Sequence, residues 1–162
     1  MATLTIDQSA PHFSLSGTDG KTYTLNQDSA KLTLAVFFKT TCPTCALAFP
    51  YVENIHRAYG EAGLAVWAIS QNPGDQTANF ASIYPSTFPV LIDADWRVSR
   101  EYDPEFVPTM FLIDANNRII DRIVAFDKAG LGRMASAAAA ILGVPAVVVA
   151  PANDGNPPFK PG

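Results

Sequence analysis

The chain has 162 residues, of which 48% are hydrophobic and 16% charged, and its formal net charge is -4 at pH 7. This composition is typical of a globular protein with its own core and excludes a disordered chain, and the length suits one domain, 1–162. No basic run accompanies the negative charge, so we expect no nucleic-acid partner.

Neither end of the sequence predicts a targeting or membrane segment. Residues 1–7 have no basic region and no apolar core, which predicts a cytoplasmic protein, or an exported one if a leader precedes the chain as given. The most apolar late stretch, 135–150, is interrupted by Gly143 and Pro145 and is too short to span a bilayer. We therefore expect no membrane association.

Hydrophobic periodicity predicts alternating strands and helices along the chain. In chain order, the predicted elements are a hairpin from 11–15 and 22–25, strand 32–38, helix 43–60, strand 63–70, helix 76–84, strand 88–93, helix 96–102, strands 106–114 and 119–124, and helix 128–142. Residues 143–162 are rich in proline, and we expect this tail to pack without regular structure. The strand–helix–strand units predict right-handed parallel connections, and the closing hairpin adds antiparallel strands, so the fold class is α/β with a mixed sheet.

The only two cysteines, Cys42 and Cys45, lie where the buried strand 32–38 passes into a helix. Cys42 falls near the helix N-cap and Pro43 in the first turn, where its missing N–H costs nothing. Unpaired N–H groups and the positive end of the helix dipole then point at the Cys42 sulfur and favour its thiolate, the nucleophile of disulfide exchange. Cys45, one turn further in, is better shielded and would resolve the mixed disulfide. Lys39 could add positive charge, although a solvated lysine explains it as well.

Two other interpretations of the cysteine pair are weaker. A structural zinc site needs four ligands, and the chain has no second cysteine pair and only the isolated His12 and His56. Inert core cysteines would not require this position between a strand and a helix. The context therefore favours a redox motif, with no metal and no bound cofactor, because the Cys42–Cys45 disulfide itself carries the electrons.

Several segments together resemble the thioredoxin-like superfamily: Pro11-x-Phe13-x-Leu15, the turn at 19–21, Cys42-Pro43-Thr44-Cys45 and Val107-Pro108-Thr109. Within it, the chain is similar to TlpA-like thiol–disulfide oxidoreductases of the redoxin type over about Pro11 to Leu142. The resemblance implies a three-layer αβα sandwich with an N-terminal hairpin and a strand–helix insertion. It implies as substrates protein thiols and disulfides, with an upstream reductant, and we expect a monomer.

The resemblance also implies the roles of residues around the cysteines. The proline matching Pro108 is cis in this family and lies against the cysteines, so that Val107 can offer its backbone to a substrate peptide. The remaining supporting residues are expected to be Lys39, Thr41, Pro43 and Thr44.

The sequence departs from the family pattern at three positions. Val36 replaces a buried aspartate, Ala48 replaces a glutamate, and Thr41 replaces the usual tryptophan. No carboxylate is therefore expected to accept the Cys45 proton. Either a water or the neighbouring thiol accepts it instead, or the exchange is slow.

Two alternative functions are considered. A peroxiredoxin-type thiol peroxidase needs Thr or Ser three residues before its reactive cysteine, with a proline before that; here the position is Lys39 and no proline precedes it in the loop. A redox-regulated binding module, with the tail as part of its surface, is the other alternative.

Overall fold

A five-stranded mixed sheet forms the centre of the computed structural model, which describes residues 3–27 and 30–162. The strand order is β5-β4-β3-β6-β7, with β4 parallel to β3 and to β5, and β6 antiparallel to β3 and to β7. The strands are β1 (Ser14–Ser16), β2 (Thr22–Thr24), β3 (Leu32–Phe38), β4 (Leu64–Ser70), β5 (Val90–Ile92), β6 (Thr109–Asp114), β7 (Ile119–Val124), β8 (Phe126–Asp127) and β9 (Phe159–Lys160). The helices are α1 (Pro43–Tyr59), α2 (Gly74–Ile83), α3 (Arg97–Tyr102) and α4 (Lys128–Leu142).

Strand β3 lies in the middle of the sheet because every one of its side chains is apolar or small enough to be buried. Its alternate residues divide between two cores. Leu34, Val36 and Phe38 face a cluster formed with α1 and α4, whereas Ala35 and Phe37 face a cluster formed with the β1–β2 hairpin and α3. The sheet is therefore covered on both faces, which confirms the predicted α/β, thioredoxin-like three-layer fold and its N-terminal hairpin.

Aromatic packing fixes the helical layer against the end of β3. The rings of Phe38 and Phe49 lie with centroids 4.9 Å apart, and those of Phe38 and Phe80 lie 5.0 Å apart. Phe49 belongs to α1 and Phe80 to α2, so this cluster holds both helices near the last residue of β3, at the carboxyl end of the strand. The start of α1 is thereby placed at the carboxyl end of the central strand, where open α/β sheets bind ligands.

The structure differs from the predicted elements at several places. Strand β1 begins at Ser14 rather than Pro11, and β6 begins at Thr109 rather than Phe106. Helix α2 begins at Gly74 rather than Gln76, because Pro73 has a backbone conformation that can precede a helix and its carbonyl accepts the Thr77 N–H. The tail was predicted to lack regular structure, which is wrong for Phe159–Lys160: this segment pairs with Phe126–Asp127 as strands β8 and β9. Within the described residues, every helix is too short or too polar to cross a bilayer.

Candidate active site

Cys42 is the N-cap residue of α1, and its sulfur contacts the first turn directly. Its backbone is extended, Pro43 follows as the first helical residue, and the backbone N–H of Cys45 donates to Cys42 Sγ at 3.1 Å. An N-cap acceptor in this position satisfies one of the N–H groups that the helix start leaves without a partner. When Cys42 is ionised, the same N–H stabilises the negative sulfur, since hydrogen bonds to a charged acceptor are the stronger ones.

The two sulfurs differ sharply in environment. Cys42 is partly exposed, whereas Cys45 is fully buried, and both thiols are free in this structure. Burial, followed by the hydrogen bond to the Cys42 sulfur, raises the pKa of the Cys45 thiol, and the backbone N–H of Lys39 offsets this only in part. Cys45 is therefore protonated around neutral pH and inaccessible to solvent.

Two positions that carry acids in the family pattern described above carry apolar side chains here. Val36 and Ala48, the positions at which related proteins carry acids, are each 1% exposed and belong to the apolar cluster beneath α1. The predicted lack of a carboxylate at these positions thus leaves Cys45 in an entirely apolar layer on that side.

The Val107–Pro108 segment lies directly beside Cys42. The peptide bond between these residues is cis, and Cys42 Sγ is 3.6 Å from the Val107 carbonyl oxygen, within hydrogen-bonding range for a sulfur donor. The Pro108 carbonyl accepts the Ala125 N–H at 2.8 Å, which fixes the segment to the residue between β7 and β8. Among the described residues, the Val107 N–H donates to no partner.

The loop before Cys42 is held by residues that the sequence analysis did not single out. Asn72 Oδ1 accepts the Thr40 N–H at 2.9 Å, and Cys42 N–H donates to the Lys39 carbonyl at 3.3 Å. Asn72 follows β4, which is parallel to β3, so both strands end on the same side of the sheet. This parallel arrangement could have indicated from the sequence that Asn72 lies near Cys42. Lys39 Nζ lies over the Trp96 ring, 5.1 Å from its centroid, and Thr41 is exposed beside Cys42.

Thr44 links the active-site turn to the tail. Its side chain is buried, and Thr44 Oγ1 donates to the Pro161 carbonyl at 2.7 Å. The structure thus brings Lys39, the Cys42–Cys45 turn and the Val107–Pro108 segment together, and adds the end of the tail. Among the described residues, no cluster of His, Cys, Asp or Glu could hold a metal ion.

A thioredoxin-like fold with a Cys-x-x-Cys turn at the start of its first long helix, opposed by a cis-proline, defines the class of thiol–disulfide oxidoreductases. The Redoxin family model matches residues 5–142, and the chain belongs to this family.

Curated relatives agree with this class. The thiol-disulfide oxidoreductase ResA of Bacillus thuringiensis (strain Al Hakam) is 29% identical over 120 residues, covering 74% of this chain and 69% of the relative. ResA of Bacillus subtilis (strain 168) is 32% identical over 114 residues, covering 68% of this chain and 63% of the relative.

Solved structures show the same fold. A provisionally named thiol:disulfide interchange protein DsbE from Chlorobium tepidum superposes with a TM-score of 0.79 at 25% identity, covering 88% of this chain and 100% of that one. A secreted Mycobacterium tuberculosis disulfide oxidoreductase homologous to E. coli DsbE has a TM-score of 0.66 at 18% identity over 79% of this chain and 95% of its own, which shows the fold alone.

Proposed function

We propose that the protein is a protein-disulfide reductase in which Cys42 attacks the client disulfide and Cys45 resolves the intermediate. The observation that carries this proposal is the contrast between the two sulfurs: Cys42 is accessible and accepts a helix N–H, whereas Cys45 is buried and protonated. A thiolate at Cys42 is the nucleophile that disulfide exchange requires.

The proposed reaction balances over two exchanges. The Cys42 thiolate bonds to one client sulfur, the client disulfide breaks, and the first client thiolate leaves and takes a proton from solvent. Cys45 then loses its proton to water and bonds to Cys42 Sγ, the mixed disulfide breaks, and the second client thiolate leaves. Two electrons have passed to the client. A dithiol reductant then supplies two electrons to the Cys42–Cys45 disulfide and is itself oxidised to a disulfide. The protein needs no other cofactor for this cycle, and we propose that it acts as a monomer.

Val107 supports the proposal as the backbone partner of an extended client. Its N–H has no partner among the described residues and its carbonyl lies beside the attacking sulfur, so a client strand pairing there places its own sulfur near Cys42. Lys39, Thr41, Pro43, Thr44 and Pro108 would surround that client segment.

Reduction of insulin disulfides by dithiothreitol tests the proposal, with precipitation of the separated chains as the readout. The protein should accelerate precipitation catalytically, and Cys42→Ser should abolish the acceleration. Cys45→Ser is the matched control, since it keeps the attacking thiol but should fail to turn over. An acceleration that survives Cys42→Ser, or its absence from the natural protein, would contradict the proposal.

The peroxidase alternative gains no support from the site. Position 39, at which a peroxiredoxin would carry a threonine or serine, is a lysine whose Nζ lies over Trp96.

A further inference from the structure

The tail crosses the molecule along α1 and reaches the active site. Successive contacts join Tyr59, Asn54, Tyr51 and Thr44, which run from the end of α1 to its beginning, to tail positions that advance along the chain. Their partners are, in the same order, Val147, Val149, Asn156 and Pro161. The tail therefore runs antiparallel to the helix and delivers Phe159–Gly162 to the turn that holds Cys42.

A buried lysine anchors the middle of the tail. Lys128 is 7% exposed, and its Nζ donates to Asp154 Oδ1 at 2.6 Å and to the carbonyls of Pro151 and Asn156, each at 2.9 Å. The hydrogen bond from Lys128, followed by that from Tyr51, holds the pKa of the Asp154 carboxyl well below its usual range. These contacts hold the tail in place, because without them the buried Lys128 cation would have no partner.

Gly162 lies against the backbone of Val107, which the proposed function assigns to client binding. Phe159–Lys160 pairs as strand β9 with β8, and a side-chain carbon at Gly162 would lie 1.7 Å from the Val107 carbonyl oxygen. Only glycine fits at this approach. The tail thus pairs with β8 as an added strand, and Gly162 lies against the Val107 carbonyl. Pairing of an extended segment with a strand is one of the ways in which peptides bind to sheets.

The same segment also covers apolar surface. Phe159, Pro161 and Gly162 form one side of an open apolar groove of about 390 Å³, whose other side is Phe106 and Val124 with Ala125. Phe106 and Phe159 are each more than half exposed. Cys42 nevertheless stays partly exposed, so a small disulfide can reach its sulfur while the tail remains in place.

We propose that Phe159–Gly162 is a specificity element that occupies the client-polypeptide position at Val107 and must be displaced before a protein disulfide reaches Cys42. This inference rests on the proposed function. A polypeptide needs access to the Val107 backbone, against which Gly162 lies, whereas a small disulfide does not. The segment therefore lowers reactivity toward protein disulfides selectively.

Two full-length variants test this role. Gly162→Val places branched carbons against the Val107 carbonyl and pushes the segment away, and Asp154→Ala removes the anchor at Lys128. Gly132→Val is the matched control, because a side-chain carbon at Gly132 in α4 would meet nothing within 4 Å. Each protein is assayed as the ratio of kcat/KM for insulin to kcat/KM for dithiobis(nitrobenzoate), a small aromatic disulfide.

Both displacement variants should raise this ratio about threefold to tenfold, the shift expected when one ordinary hydrogen bond biases a two-state equilibrium. The Gly132→Val control should leave the ratio unchanged. An unchanged ratio in the two displacement variants would overturn the proposal, as would a ratio that falls, since the tail would then help to bind clients.

A second readout separates this inference from the proposed function. Labelling of Cys42 with a polymer-linked maleimide, relative to iodoacetamide, should increase in both displacement variants whether or not the protein turns over clients. If the natural protein reduces neither disulfide while the labelling ratio responds, the proposed function fails and the covering role of the tail stands. A labelling ratio that does not respond refutes the covering role on its own.

Discussion

The protonated, buried state of Cys45 makes a quantitative prediction about the second exchange. Burial is the main cause that raises the pKa of the Cys45 thiol, and this cause persists when Cys42 is joined to a client. Below its pKa, the thiolate fraction of a thiol rises tenfold with each pH unit, and exchange proceeds through the thiolate. Resolution by Cys45 should therefore accelerate by about a thousandfold between about pH 6 and about pH 9, without levelling off.

Stopped-flow mixing of the reduced protein with dithiobis(nitrobenzoate) separates the two steps. The first coloured thiolate leaves when the Cys42 thiolate attacks the reagent's disulfide, in a step whose rate depends on reagent concentration. The second leaves when Cys45 displaces it from Cys42, in a step whose rate does not. Cys45→Ser is the control and should release only the first. A second phase that levels off at or below about pH 9, as an unperturbed thiol would make it do, would refute the assignment of a raised pKa to Cys45.

The apolar surroundings of Cys45 extend this prediction to a variant. Ala48→Glu places a carboxylate one turn after Cys45, where it could accept the thiol proton, and should raise the second-phase rate near neutral pH by about tenfold or more. Ala46→Glu, on a less buried side of α1, is the matched control and should leave the rate unchanged. Equal rates for Ala48→Glu and the natural protein would show that proton removal does not limit resolution.

Three further predictions concern peroxide, the core and acid stability. Peroxide consumption through Cys42 should stay far below that of dedicated peroxidases, because Lys39 offers no hydroxyl; a comparable rate in a coupled peroxide assay would contradict this. Phe38→Ala should lower the free energy of unfolding by about 3–5 kcal/mol because its ring is fully buried, whereas the exposed Ile141→Ala should change it by about 0.5 kcal/mol or less in denaturant titrations. Asp154 has a lowered pKa in the folded state, so its contribution is present above about pH 4 and is lost as pH falls through the folded value. Asp154→Asn should therefore lose less stability than the natural protein between about pH 5 and about pH 2, and parallel losses would contradict the ion pair.

The elements around the cysteines were predictable because their signals are local. The run 32–38 is continuously apolar, as a strand buried on both faces must be, and Pro43 after Cys42 marks the first turn of a helix. The two-residue error at the start of α2 arose because Asn72-Pro73-Gly74 has the composition of a turn, although a proline can equally precede a helix.

The end of the tail could not be predicted in this way. Strand β9 has only two residues, which are too few to show an alternating hydrophobic pattern. Its partner, Phe126–Asp127, lies more than thirty positions earlier in the chain, so no local signal predicts the pairing. Its place beside Val107 depends on contacts with Lys128 and Tyr51, which lie on two different helices. Such a path is set by tertiary contacts rather than by the propensity of its own residues.

Trapping of mixed disulfides tests the division of roles between Cys42 and Cys45 most directly. Natural protein, Cys42→Ser and Cys45→Ser are incubated with a disulfide-bonded client such as insulin, quenched in acid and resolved on non-reducing gels. Cys45→Ser should accumulate an adduct through Cys42, Cys42→Ser should accumulate almost none because Cys45 is buried, and the natural protein should retain little because the internal thiol is held beside the mixed disulfide. Equal trapping by both variants would contradict the assignment of Cys42 as attacker and Cys45 as resolver, and no trapping by either would favour a redox-regulated binding module.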